Sequence, residues 1–427
     1  MKYISIIIIL FFSLSAYSLD INEAIKSTIE NNPKVKIAIE KLNESKELIE
    51  NAQGKKLPSL TGTISGTYAN SDSSTTTGSS TAETLTDKYK ISLTQNIFDG
   101  GNNNLEITRS KILYDNEIIY FKKTIQDLIL TAINGYLTVI SYEKSLDANK
   151  KNFDSVSRFL EETNTRFDLG SATLYDLQNA ESAYALAETS LFTAQQNYDV
   201  SKIIFKRIVG LEAFNLEEIV DFSKDLKLNM IIDKTLMNNY DLLLLNNEIL
   251  NNKILLQKEK NSNKLSLDLS ASAEYSDAGR IDNGTEKTNG TIGLTLTIPI
   301  FQQNIDKSDI RKQQSQLLQA EISYQDTIEE IQIQASNLFK DYLVSKSNIA
   351  SNVKRIKSIQ TSLDSIKEEY NIGTKTITEL IEAETELLTV NVNYYSSRKD
   401  FILNYFNILA LEGSIIELFD QYLPNYN

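Results

Sequence analysis

The sequence contains no histidine, no cysteine and no tryptophan. Without histidine there is no Ser-His-Asp relay, and without cysteine no thiolate nucleophile; the usual His and Cys zinc sites go with them. No paired-carboxylate signature stands in their place, so the sequence points away from an enzyme and calls for no cofactor. The missing cysteine also excludes a lipid anchor at a processed amino terminus. Prolines number four in 427 residues, which leaves room for very long helices. Basic side chains are outnumbered, 43 to 57. Nucleic acid and anionic lipid are held by dense Lys and Arg, so neither is expected as the main ligand. Solubility and a cation-attracting cavity both account for such acidity.

Long apolar runs are also missing, apart from Ile4 to Leu14 within MKYISIIIILFFSLSAYS. That stretch is short for a bilayer span and is followed by small residues, which reads as a signal peptide over 1–18 with cleavage near Ser18-Leu19. Its removal takes only Lys2 from the charge count, leaving 42 basic and 57 acidic residues, a net of −15.

What the chain does have is a repeat. RFDLGSATLYDLQNAE, Arg166 to Glu181, returns as EYNIGTKTITELIEAE, Glu369 to Glu384. Gly170 and Gly373 are 203 residues apart, as are Phe98 and Phe301. Upstream, Asn32 matches Asn239 and LPSL at Leu57 matches KLSL at Lys264, now at an offset of 207. The difference falls in polar stretches expected to be loops, Asn70 to Lys88 and Ser276 to Gly290. Two structural repeats follow, 19–210 and 211–411, with a tail over 412–427. Each reads as a helical segment, a strand, a polar loop, a strand, a very long helix, a Gly turn and a second long helix.

The strands are expected at about 58–69, 89–98, 264–275 and 291–301. Alternation is sharpest where Leu265, Leu267, Leu269, Ala271, Ala273 and Tyr275 form one face, and again at Ile292, Leu294, Leu296, Ile298 and Ile300. In the first half the apolar set is Leu60, Ile64 and Tyr68, then Tyr89, Ile91, Leu93 and Ile97. Strands of roughly ten residues cross a bilayer when tilted, and they also suit a soluble sandwich with one wet face. The helices are expected at about 102–168, 173–209, 305–370 and 376–411. The first would be roughly 90 Å long at 1.5 Å per residue, more than a compact globule accommodates. After each turn a heptad seam alternates large and small residues. It runs through Leu177, Tyr184, Leu191, Tyr198 and Phe205 beside Ala180, Ala187, Ala194, Ser201 and Ile208, and a second copy follows from Leu380 and Ala383. Such alternation suits antiparallel coiled-coil packing. Thr173 and Thr376 are placed to cap the helices that follow.

Four membrane strands cannot close a barrel, since about eight is the smallest number that does. Copies of the chain would have to share one, and a trimer gives twelve strands and twelve helices. Tyr68, Tyr89, Phe98, Tyr275 and Phe301 lie near strand ends, as interfacial girdle residues do and as ordinary strand aromatics also do.

The element order, the NIFDGG junction and above all the two tip motifs resemble the TolC family of outer-membrane efflux channels. The resemblance covers essentially the whole chain after the signal segment. It implies a mainly α protomer with a small membrane β portion, trimerising into a twelve-stranded barrel continued by a twelve-helix periplasmic tunnel. It implies docking onto a periplasmic adaptor and an inner-membrane pump of the RND, ABC or MFS type, to expel drugs, toxic compounds or secreted proteins. Leu169, Gly170 and Ser171, with Ile372, Gly373 and Thr374, match the adaptor-docking tips. Glu379 and Glu382 match an acidic pair that narrows the entrance, which in a trimer would form two carboxylate rings; acids in a first helical turn also simply favour the helix dipole. Tyr370 and Asp176 match a linked gate pair, and Lys375 a basic gate residue. Lys375 lacks the fork of the family's arginine, and Tyr175 replaces its smaller hydroxyl partner. The competing reading is a secreted coiled-coil structural or adhesive protein with a soluble β head.

Overall fold

The computed structural model describes residues 18–219, 225–278 and 285–424. The signal segment, apart from Ser18, lies outside them. Twelve helices and strands follow in the order α1, α2 (Pro33–Gly54), β1, β2, α3, α4, then α5, α6 (Tyr240–Asn261), β3, β4, α7, α8, with a closing 3-10 helix at Ile415–Tyr422. Packing divides the chain into two units.

The helical unit comprises residues up to 38, 121–240 and 328 onward. Helix α1 (Ile21–Asn31) starts at Asp20, whose carboxylate accepts from the Glu23 backbone N–H at 2.6 Å. It ends at Asn32, whose N–H reaches the Thr28 carbonyl; α5 (Leu228–Asn238) ends in the same way at Asn239, which reaches Thr235. Helix α3 (Asn102–Asp168) buries Phe121, Ile125, Ile129, Ile133 and Tyr136 at spacings of three and four, the stripe a helix presents to a core. Opposite stands α4 (Leu174–Val209), with Phe205 6.2 Å from Tyr136 between ring centres. On α4 the small residues Ala180, Ala187, Ala194 and Ser201 are the buried line, so close helix approach uses the small half of the heptad seam. Tyr342 of α7 (Ile305–Asn371) stacks on Phe401 of α8 (Ile377–Leu411) at 4.8 Å. The chain entering α1 is strapped down: Leu19 bridges Leu216, and the Tyr136 hydroxyl lies 2.8 Å from the carbonyl oxygens of both Leu19 and Glu217.

The second unit, residues 39–120 and 241–327, carries the sheet. Its strands β1 (Ser59–Thr75), β2 (Gly78–Phe98), β3 (Ser266–Asp277) and β4 (Glu286–Thr297) pair antiparallel in sequence order, so β1 and β4 are the edges. Register places Leu60, Leu93, Ala271 and Ile292 in one row, then Gly62, Ile91, Ala273 and Gly290, then Ile64, Tyr89, Tyr275 and Thr288. This face is apolar and uncovered within the chain: Ile64 is 78% and Ile292 83% exposed. The opposite face is polar and internally bonded, through Lys88 to Glu274 at 3.0 Å and Asn96 to Asp268 at 2.7 Å.

Three expectations about the strands are corrected. Most of the polar stretch from Asn70 to Lys88 is paired strand rather than loop, continuing to Thr75 opposite Gly78; its threonines favour extended backbone, and a ribbon wet on both faces needs no apolar alternation. The fourth strand begins at Glu286, inside the stretch from Ser276 to Gly290 expected as loop. It stops at Thr297, just before Ile298 and Pro299, and Pro299 has no N–H to give a ladder. Phe301 therefore lies past the strand, 75% exposed. The pairing of β2 with β3 shifts between Asn96 and Phe98, a bulge that leaves Ile97 unmatched and sets Phe98 opposite Leu267. Phe98, not Ile97, thereby continues the apolar face. Among the described residues no single helix is long and apolar enough to cross a membrane.

Candidate functional site

Both chain reversals in the helical unit are built alike. After α3, the Ser171 N–H returns to the Arg166 carbonyl at 2.8 Å and the Gly170 N–H to Phe167 at 2.9 Å, with Gly170 at φ +74°. After α7, Thr374 returns to Glu369 at 2.9 Å and Gly373 to Tyr370 at 3.0 Å, with Gly373 at φ +79°. These paired bonds close the end of a helix only when one residue turns left-handed, which glycine does without a Cβ penalty. The Ser171 and Thr374 hydroxyls donate to the same carbonyls, at 3.0 and 2.9 Å.

The next helices begin three residues after Ser171 and Thr374, each with a reciprocal cap. Thr173 accepts from the Asp176 N–H at 3.1 Å while its own N–H donates to the Asp176 carboxylate at 3.0 Å. Thr376 and Glu379 repeat the exchange at 3.3 and 2.9 Å. Each reversal is thus satisfied on both sides of its glycine, and what it leaves outward is apolar: Leu169 is 77% and Ile372 76% exposed. Leu174 and Tyr175, on the first turn of α4, are exposed beside them. Alternation and heptad counting do not single these two out; their place just after a capping threonine does.

Beneath the turns, Ala180, Leu363, Tyr370, Ile377, Leu380 and Ile381 form one buried cluster. Tyr370 lies 4.6 Å under the Arg166 guanidinium, and Arg166 donates to Glu162 at 2.6 Å. Burial, and then the negative charge of Glu162, raise the Tyr370 hydroxyl above its usual range. Asp176 serves as the cap of α4, and its charge is felt at Tyr370. Lys375 donates to Glu379 at 2.6 Å, while Tyr175 stands exposed. The Lys375 ammonium, followed by the Thr376 N–H, holds the Glu379 carboxyl down to about 2. Glu382 is exposed one turn further along α8. Asn179 of α4 donates to Thr378 of α8 at 3.2 Å and joins the two helix starts.

The strand aromatics belong to the sheet unit: Tyr89 and Tyr275 are neighbours across strands at 6.2 Å, while Tyr68 lies further out on β1 and Phe98 at the end of β2.

The chain was compared with known proteins. It is 24% identical to the outer membrane protein TolC of Escherichia coli (strain K12) over 407 residues, 91% of this chain and 80% of that protein. Its fold matches the Campylobacter jejuni CmeC outer membrane channel with a TM-score of 0.78 at 15% identity, covering 95% of this chain and 90% of that one. VceC, an outer membrane protein of Vibrio cholerae, matches at 0.77 and 15% identity, over 92% and 96%. The model of the family described as outer membrane efflux protein matches residues 24–211 and 261–413. With two helix reversals of one design, an open sheet apolar on one side, and a family match over both halves, the chain belongs to the outer membrane efflux protein family.

Proposed function

We propose that three copies of this chain form a passive export duct in the outer membrane. The observation that carries the reading is the sheet: four strands with an apolar face and with edges at β1 and β4, which no other strand among the described residues pairs. In lipid an open edge leaves backbone groups without partners, so edges must meet edges. Two copies supply eight strands and three supply twelve; the family resemblance selects three. The exposed apolar side chains Leu186, Phe192 and Ile203 on α4, and Ile333 on α7, are what neighbouring helices of a tunnel would cover. The equal lengths of α3 and α7, 67 residues each, support a duplicated protomer whose twelve-helix tunnel is nearly sixfold.

The two helix reversals are the surfaces offered to a periplasmic adaptor, with Leu169 and Ile372 as apolar knobs and the Gly170-Ser171 and Gly373-Thr374 backbones fixing their presentation. The adaptor joins the duct to an inner-membrane pump of the RND, ABC or MFS type, so that drugs, toxic compounds or secreted proteins leave without entering the periplasm. Glu379 and Glu382 form carboxylate rings at the entrance that favour cations. Tyr370, Asp176 and Lys375 belong to the gate. The gate bond nearest to hand within one chain is Arg166 over Tyr370, with Lys375 engaged by Glu379. The girdle of Tyr68, Tyr89, Phe98, Tyr275 and Phe301 meets outer-membrane lipid.

Native mass spectrometry of the protein extracted in mild detergent tests the assembly. A trimer that conducts in planar bilayers is expected. A monomer that stays soluble without detergent would overturn the duct and favour a secreted coiled-coil protein with a β head.

A further inference from the structure

The apolar face of the sheet is not uniform. In the rows set by strand register, Leu93 on β2 and Ile292 on β4 flank Ala271 on β3, and in the next row Ile91 on β2 is followed by Ala273 on β3 and Gly290 on the edge strand β4. Large residues therefore border a strip of small ones. A shallow depression of about 570 Å³, wide open to the outside, lies there, lined by Leu60, Ile91, Leu93, Ala271, Ala273 and Ile292, with Ser272 and Thr291 also contributing to its walls. A Cβ added at Gly290 would meet nothing within 4 Å, so the space above that backbone is open. One row beyond Ala273 and Gly290 comes Tyr275, paired with Tyr89 at 6.2 Å. This pair stands outside the lining of the hollow, one row further from the strand ends that lead into α3 and α7.

We propose that this hollow is a seat for one lipid acyl chain, held against Ala271, Ala273 and Gly290 with the ester or headgroup region at Tyr89 and Tyr275. The occupant follows from the setting. The hollow is continuous with the one face of the sheet that is apolar, in a chain whose family resides in the outer membrane. No charged side chain lines it, which suits a hydrocarbon tail and not a peptide with polar backbone. Small residues let the tail approach the backbone closely, where dispersion contacts add along its length. Tyrosine suits the upper end because its ring is apolar and its hydroxyl bonds to a carbonyl or phosphate oxygen. The inference rests on the sheet facing lipid.

The absence of tryptophan provides the probe. Two single-tryptophan variants of the full chain, Ile91→Trp in the hollow and Leu296→Trp on the same face outside it, are reconstituted with lipids brominated on the acyl chain. They are then diluted into a large excess of unbrominated lipid. Slow release predicts that quenching at Ile91→Trp outlasts that at Leu296→Trp by at least about threefold in time, and that adding Ala273→Leu or, separately, Gly290→Leu erases the difference. Equal decay at both sites would overturn the seat while leaving the membrane sheet in place. Absence of quenching at both sites would overturn the seat together with the lipid-facing reading. Using two independent filling variants separates loss of the seat from a failure to fold.

Discussion

At Gly373 the backbone sits at φ +79° and a Cβ would meet nothing within 4 Å, so an alanine there is penalised by conformation alone. Gly373→Ala should destabilise the second reversal by about 1–2 kcal/mol, and Gly373→Asn by less, because asparagine tolerates the left-handed region better. A lower midpoint of thermal unfolding in detergent for alanine than for asparagine is the expected result. Glu379 carries a pH prediction. Its carboxyl is depressed by Lys375 and the Thr376 N–H from the ordinary 4.5 to about 2. A depressed carboxyl adds stability that is fully present above pH 4.5 and is lost as pH falls toward 2. Carboxyl NMR of a Lys375→Met variant should show Glu379 titrating higher than in the parent; unchanged titration would mean that Lys375 does not hold it. The two glycines and both threonine caps were legible, because Thr-x-x-Asp and Thr-x-x-Glu after a Gly turn are capping-box spacings. That second role of Asp176 and Glu379 is written in the same letters, three residues after each capping threonine. Arg166 over Tyr370 was not legible, since 204 residues separate them and only the fold brings the guanidinium over the ring.

Among the elements, the mainly helical chain with one antiparallel sheet announced itself through heptads and alternation. Strand ends did not. Polarity marks a loop only if a strand must bury one face, and the outer part of β1 and β2 buries neither. The bulge was hidden for another reason: one inserted residue reverses the facing of all that follow it, and Ile97 and Phe98 are both apolar, so letters alone do not say which of them continues the face. The register yields a paired test. Ile292→Arg, on the apolar face, should weaken insertion into vesicles by about 2–4 kcal/mol, whereas Thr291→Arg on the polar face should be close to neutral. Equal effects would mean that the sheet does not face lipid on one side only. At the helix starts, Thr173→Ala should cost about 1 kcal/mol by orphaning the Asp176 N–H, read as faster amide exchange in the first turn of α4.

For the molecule as a whole, the number of copies is the property least written in one chain, because edges and exposed stripes say that partners are needed without counting them. Phe192→Asp and Ile203→Asp, on the exposed side of α4, should abolish the trimer in detergent while leaving far-UV helicity unchanged; persistence of the trimer would place the helix interface elsewhere. The uneven hairpins have a consequence for the proposed duct. Ladder bonds between β2 and β3 end at Asp87 and Asp277, yet β1 and β2 continue as a two-stranded ribbon from Thr67 opposite Thr86 to Thr75 opposite Gly78. Closed threefold, the duct would wear a crown of three narrow polar posts rather than a level rim. Such posts would reach beyond the last bonds of the four-stranded sheet. Most of their residues are serine and threonine, with Asp72 and Glu83 further out and Tyr68 opposite Leu85 next to the base.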